Sequence, residues 1–234
     1  ICREMNGKST KYTIGLLFFI LCVLTVSGQK PFFNPKELES KFAQVWKTSE
    51  ATRKKYTWKA STEVIRDGKV MQFLVEEISY GADGRQIRKV ISNRETPLPS
   101  IFLIRKVAED QKAKIVAFMG ELRSFLEKYA LDDDGVRRSF FSSANMGVPD
   151  ANGQLLVSGS DVFARGDELK WWIDTRFYTI TRATISTTYK GVRAEFSAKY
   201  YFLPGLNYMV EATIRIPSKE MVINLRFYDF VRQL

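Results

Sequence analysis

The side chains that could do covalent chemistry are few in this chain, and their spacing does not favour it. There is no histidine. That removes Ser–His and Cys–His nucleophiles, histidine metal sites and imidazole proton relays. A serine three residues ahead of a lysine, a spacing used in Ser–Lys catalysis, occurs once, at Ser27 and Lys30. That pair straddles the point where a leader is expected to be cut. No nucleophile elbow, phosphate loop or dinucleotide-binding glycine turn is present. Glu76 and Glu77 are adjacent in an expected strand, so they point to opposite faces and cannot act as a pair. The run Asp132-Asp133-Asp134 lacks the alternating ligands and closing glutamate of a calcium loop, and helix capping explains it better. Two distant carboxylates brought together by folding would suit glycoside hydrolysis, the one enzymatic chemistry left open. The expectation is a protein that is not an enzyme, with no catalytic residue, no metal and no cofactor.

The N-terminal residues have the grammar of export. Met5 is followed by Lys8 and Lys11, then the apolar run Ile14 to Val26, then Ser27-Gly28. This is a basic region, a short hydrophobic region and small residues at a cleavage point. The run is short for a membrane anchor. The reading is upstream residues plus a signal peptide over 1–28, and a single domain over 29–234. Cys2 and Cys22 both fall ahead of the cut, so no disulfide is expected in the mature chain. Phe19-Ile20-Leu21 ahead of Cys22 does not suit a lipidation site. The expected location is the periplasm or beyond.

With a formal net charge of +10, an exported protein can meet anionic lipid headgroups or polyanions. Its Lys and Arg are scattered, however, which fits a merely soluble surface equally well. Basic and aromatic residues mix at Lys170-Trp171-Trp172 and Lys199-Tyr200-Tyr201. In strands such neighbours split between two faces, so no stacking platform for nucleic acid forms.

The elements that position these residues read as follows. Asn34-Pro35 starts a helix in which Leu38, Phe42, Val45 and Trp46 share a face, ending near Lys54. Tyr56, Trp58, Ala60, Thr62 and Val64 then alternate with polar residues. Asp67-Gly68 turns this strand into a return strand, Lys69 to Tyr80, and Asp83-Gly84 into a third, Arg85 to Ile91. Asn93 to Ser100, with Pro97 and Pro99, reads as a loop. A helix from about Ile104 carries Ile115, Met119, Leu122, Leu126 and Tyr129 on one face, widened by Phe118 and Phe125. The aspartate run breaks it, and a short helix with Val136, Phe140 and Phe141 follows. The remainder is strand. Segments begin at Gln154, Glu168 and Phe177, and further strands carry Ala194 to Phe202, Tyr208 to Ile216 and Met221 to Phe227. About eight strands are expected. The fold class is α+β: a strongly curved antiparallel sheet, a half-barrel, with an N-terminal helix and a central helical lid on its concave face.

Several turn and strand-end segments carry a resemblance. They are Tyr56-Thr57-Trp58-Lys59, Tyr80-Gly81-Ala82-Asp83-Gly84, Trp172-Ile173-Asp174, Thr188-Tyr189-Lys190-Gly191 and Leu203-Pro204-Gly205-Leu206-Asn207-Tyr208. In these the chain is similar to a set of uncharacterised exported bacterial proteins. Its layout resembles the outer-membrane lipoprotein-carrier (LolA/LolB-like) half-barrel. That resemblance implies a concave apolar surface under a helical lid, of the kind that takes acyl chains in the carriers. It assigns no binding residue here.

Aromatic residues make up 13% of the chain, and many fall on the faces expected to be inside. They either fill a core or line a cavity. The cavity candidates are Trp58, Phe73, Phe196, Tyr200, Tyr208 and Leu225 from strands, with Phe118, Leu122 and Phe140 from helices. The expected function is an exported binding protein for a lipid-like or other hydrophobic ligand. The alternative is an interaction module with a fully packed core.

Overall fold

The computed structural model describes residues 33–96 and 102–233. The expected leader, and Pro97 and Pro99 of the expected loop, lie outside these residues. Among the described residues three α-helices and ten strands follow one another: α1 (Pro35–Arg53), β1 (Tyr56–Arg66), β2 (Lys69–Tyr80), β3 (Gln86–Glu95), α2 (Phe102–Glu127), α3 (Asp134–Ser143), β4 (Asn145–Met146), β5 (Gln154–Ser160), β6 (Glu168–Asp174), β7 (Thr179–Tyr189), β8 (Val192–Leu203), β9 (Leu206–Ile216) and β10 (Met221–Arg232). The strands form one antiparallel sheet in the order β3-β2-β1-β10-β9-β8-β7-β6-β5-β4. Only β1 and β10 are paired without being consecutive strands. The two edges, β3 and β4, do not pair, so the sheet stays open.

Local chemistry sets the elements. Asn34 Oδ1 accepts the Lys36 amide at 3.0 Å, and Pro35 opens α1. The β1–β2 turn needs left-handed backbone at both Asp67 (φ 51°) and Gly68 (φ 72°), and the β7–β8 turn needs it at Lys190 and Gly191. Asp133 accepts the amides of Gly135 and Val136, which starts α3. Five of the nine strand pairings contain a register shift. Such bulges bend and twist a sheet, and here they curl it toward the helices.

The strand count is ten rather than about eight. The two-residue β4, which pairs Asn145 with Ser158, is too short for an alternation pattern to reveal. β3 also runs to Glu95 rather than Ile91, because Gln72 to Leu74 supply partners for Asn93 to Glu95. Phe177 falls in the β6–β7 turn, ahead of β7.

The main core lies between α1, α3, the C-terminal part of α2 and the strands from β5 to β10. Phe42 stacks on Trp171 at 5.3 Å between ring centroids, and Phe140 meets the same indole edge-on at 5.4 Å. Gly159 lets that ring approach, since a Cβ there would lie 2.8 Å from Phe140 Cε2. Arg137, buried in α3, donates to Glu39 at 3.0 Å, pairs with Asp134 and ties α3 to α1. Asp167 is a second buried anchor. It accepts the amides of Val162, Phe163 and Ala164 and, at 2.6 Å, the Tyr129 hydroxyl. Tyr129 also lies 3.0 Å from Thr187 Oγ1, so this group fastens the end of the lid to β7. Burial, and then the Asp167 hydrogen bond, push the Tyr129 phenol well above its ordinary range.

Candidate functional site

The other half of the concave face is not filled. Between β1, β2, β10, β9, β8 and the middle of α2 lies a hollow of about 1030 Å³, at the upper end of the ~300–1,000 Å³ of small-molecule sites. Strand parity builds its floor. Trp58, Ala60, Thr62 and Val64 of β1 all face it, as a period of two requires. Across the next strand Ile223, Leu225 and Phe227 do the same.

Along one side an aromatic row crosses five strands. Tyr80, Trp58, Phe230, Tyr208 and Tyr201 follow one another with centroids 5.9, 5.6, 4.1 and 6.1 Å apart. Phe230 joins this row through a bulge. Asp229 has a left-handed φ of 55°, and the β1–β10 register shifts between Thr57 and Lys59. Alternation from Met221 through Phe227 would otherwise have sent residue 229 inward. The bulge turns Asp229 outward to Lys59, at 2.9 Å, and puts a ring inside.

α2 forms the cover. Its burial increases along its length: Val116 is 59% exposed, while Leu122 and Leu126 are buried. The buried end is seated on strand turns. Phe125 packs on Tyr189 at 5.0 Å, Lys190 pairs with Glu121 at 2.8 Å, and Lys219 sits over the Phe118 ring. Ile115, Val116 and Met119 reach the hollow from the less buried stretch.

The nine candidates separate by place. Trp58, Phe196, Tyr200, Tyr208 and Leu225 line the hollow. Leu122 and Phe140 are buried in the main core. Phe118 turns toward Tyr189. Phe73 lies on the face of β2 opposite Gln72, Leu74 and Ile78, which line the hollow, and holds the Arg94 guanidinium at 5.7 Å. Lining residues outside the candidates include Phe230, Ile78, Ile223 and Arg53. The alternations of β1 and β10 carried the signal for Ile223. No sequence signal marked Arg53.

Polar groups gather where α1 meets the β8–β9 turn. The Ser49 hydroxyl donates to Asn207 O at 2.9 Å and accepts the Asn207 amide at 2.8 Å. Asn207 Nδ2 donates in turn to Ile180 O and Tyr201 O. Burial pushes the Tyr200 phenol up to about 12, against the pull of the Arg53 guanidinium. Among the described residues no cluster of carboxylates could hold a metal ion, and no helix is long and apolar enough to cross a membrane. The arrangement suits binding of an apolar body with one polar end.

No family model matches the sequence, and comparison with curated proteins finds no match. Among solved structures, the chain is similar to a DUF1329 family protein from Desulfovibrio piger, at 11% identity and a TM-score of 0.42, over 86% of this chain and 95% of that one. It is also similar to a LolA superfamily protein from Nitrosomonas europaea, at 10% identity and a TM-score of 0.30, over 82% and 93%. Neither likeness assigns a role to any residue. The open antiparallel sheet with helices on its hollow side is itself a half-barrel.

Proposed function

We propose that this chain is an exported, non-enzymatic binding protein that holds a lipid-like or other hydrophobic ligand in the hollow beneath α2. The observation that carries this reading is a lined but unfilled concave face. Part of that face is covered by α1 and α3, and the rest is left as a chamber with an apolar floor. Each ligand methylene that leaves water there contributes about 0.8 kcal/mol. The C-terminal end of α2 is fastened by the buried Leu122 and Leu126 and by the Tyr129 hydrogen bonds that follow it, while its less buried middle lifts to admit a chain. Export rests on the leader-like residues ahead of Gly28. The positive charge of the protein favours collecting its ligand from an anionic membrane surface.

The test is uptake of a fluorescent fatty acid by delipidated protein, repeated with Phe196→Asp and Leu225→Asp. The reading expects saturable uptake that either carboxylate sharply weakens in a folded variant. Absent uptake, or uptake untouched by both substitutions, contradicts it. That result would favour a module whose binding surface lies elsewhere, on a sheet edge or a basic patch.

A further inference from the structure

The cations in the wall of the hollow are already paired. Four arginines and five carboxylates line it. Arg88 holds Glu76 at 3.1 Å, Arg123 holds Glu127 at 2.9 Å, Arg53 holds Glu50, and Arg66 lies 3.6 Å from Asp67. Glu95 accepts from the side-chain amides of Gln72 and Asn93, and Asp132 accepts the Trp46 indole N–H. The Nε atoms of Arg53 and Arg66 are sealed out of a ligand's reach. An anionic head group would give up its hydration to meet an excess of carboxylate, and a cationic one would compete with an arginine for its partner. Both are costly where water is scarce.

The spare hydrogen-bonding groups of the wall are neutral instead. Tyr129, Tyr200 and Tyr208 all line the hollow. Tyr129 commits its hydroxyl to Asp167. Among the described residues the hydroxyls of Tyr200 and Tyr208 have no partner, and neither is sealed from solvent. The Thr62 hydroxyl and the Trp58 indole N–H share that state. Each of these groups can donate a hydrogen bond. The two tyrosines are neighbours, since pairing of Tyr200 with Met209 sets it beside Tyr208 on the adjacent strand. Burial pushes the Tyr200 phenol up to about 12, so it keeps its proton at neutral pH.

We propose that the ligand is an uncharged amphiphile whose carbonyl oxygen is taken by the phenols of Tyr200 and Tyr208, while its hydrocarbon body lies along Ala60, Val64, Ile223 and Leu225. The assignment rests on the hollow being the ligand site. It adds the class of head group and the corner at which that group sits.

The experiment loads the delipidated full chain with diphenylhexatriene, a hydrocarbon dye that brightens in apolar surroundings. Three probes then displace it at about pH 8, where a carboxyl is ionised: methyl dodecanoate, dodecanoate and dodecyltrimethylammonium. The ester is expected to bind the unaltered protein about tenfold more tightly than either ion. Both ions still bind through their chains, so fatty-acid uptake remains a test of the hollow itself. The double variant Tyr200→Phe with Tyr208→Phe keeps both rings and removes both donors. It is expected to weaken the ester about fivefold relative to the dye, the scale of a neutral hydrogen bond. Tyr228→Phe, whose exposed ring lies off the hollow, is expected to keep the ester's affinity. An ion that binds as tightly as the ester overturns the uncharged ligand, and that comparison needs no variant to fold. Ester affinity that is untouched in the double variant, or that falls only in parallel with the dye's, overturns the tyrosine seat. If the dye itself shows no saturable binding, the hollow is no ligand site and the binding function falls together with this assignment, a result distinct from loss of the ester's margin alone.

Discussion

The rings of Trp58 and Phe230 lie parallel within 4°, with centroids 5.6 Å apart, on paired strands far apart in the sequence. Trp58 is 5% exposed, and Phe230 is the lid on its open face. The stack fixes the register of β1 against β10 where the bulge at Asp229 would otherwise let it slip.

Phe230→Ala should remove the middle of the aromatic row. The expected loss is about 2 kcal/mol, below the 3–5 of a fully buried phenylalanine because Phe230 is only half-buried. Urea denaturation measures the loss. Near-UV circular dichroism should weaken through the freed indole, and an unchanged spectrum would show that the stack is not formed in solution.

Tyr129→Phe deletes the hydroxyl between Asp167 and Thr187 and leaves the Asp167 carboxylate short of one donor. The expected cost is about 1–3 kcal/mol. The phenol is raised in the fold, so its contribution is complete below its ordinary 10.0 and is lost as pH rises from there through the higher folded value. The unaltered protein should therefore lose Tm above pH 10 more steeply than Tyr129→Phe. Parallel curves would contradict this.

Arg137→Met should cost about 3–5 kcal/mol, because it strands the mostly buried Glu39 without its cation. A double variant, Arg137→Met with Glu39→Met, should recover part of that loss by removing both charges. The coupling is read from a double-mutant cycle of denaturation midpoints.

Gly159→Ala tests the close approach of Phe140. The new methyl group would press on a buried ring that cannot move aside, at an expected cost of about 1–3 kcal/mol. Pairing it with Phe140→Leu should relieve the strain, and the comparison is again a difference in denaturation midpoint.

Asp174 gives the acid limb. The Arg176 guanidinium holds its carboxyl below the ordinary 3.8. Its contribution is present above 3.8 and is lost as pH falls from there through the lower folded value. Asp174→Asn should flatten the decline of Tm below pH 4 relative to the unaltered protein.

The sequence by itself determined the elements and most of their faces. Turns that require left-handed backbone announce themselves as Asp67-Gly68 and Lys190-Gly191. Caps such as Asn34 and Asp133 carry their own acceptors. Alternation over Tyr56 to Val64 and Met221 to Phe227 assigns an inner face, because side chains in a strand have a period of two. Parity is silent in β2, where Phe73 and Val75 lie on one face and Leu74 and Ile78 on the other. It also fails at a bulge, which adds one residue and reverses every face beyond it, so Phe230 became visible only once β10 was paired with β1. Burial has a further ambiguity that pattern cannot resolve. Leu122, Phe140, Tyr208 and Leu225 all read as inward, yet the first two are clamped in the core and the last two face the hollow. That division depends on where α1 and α3 end on the sheet, a matter of distances between elements far apart in the chain, which tertiary structure alone decides.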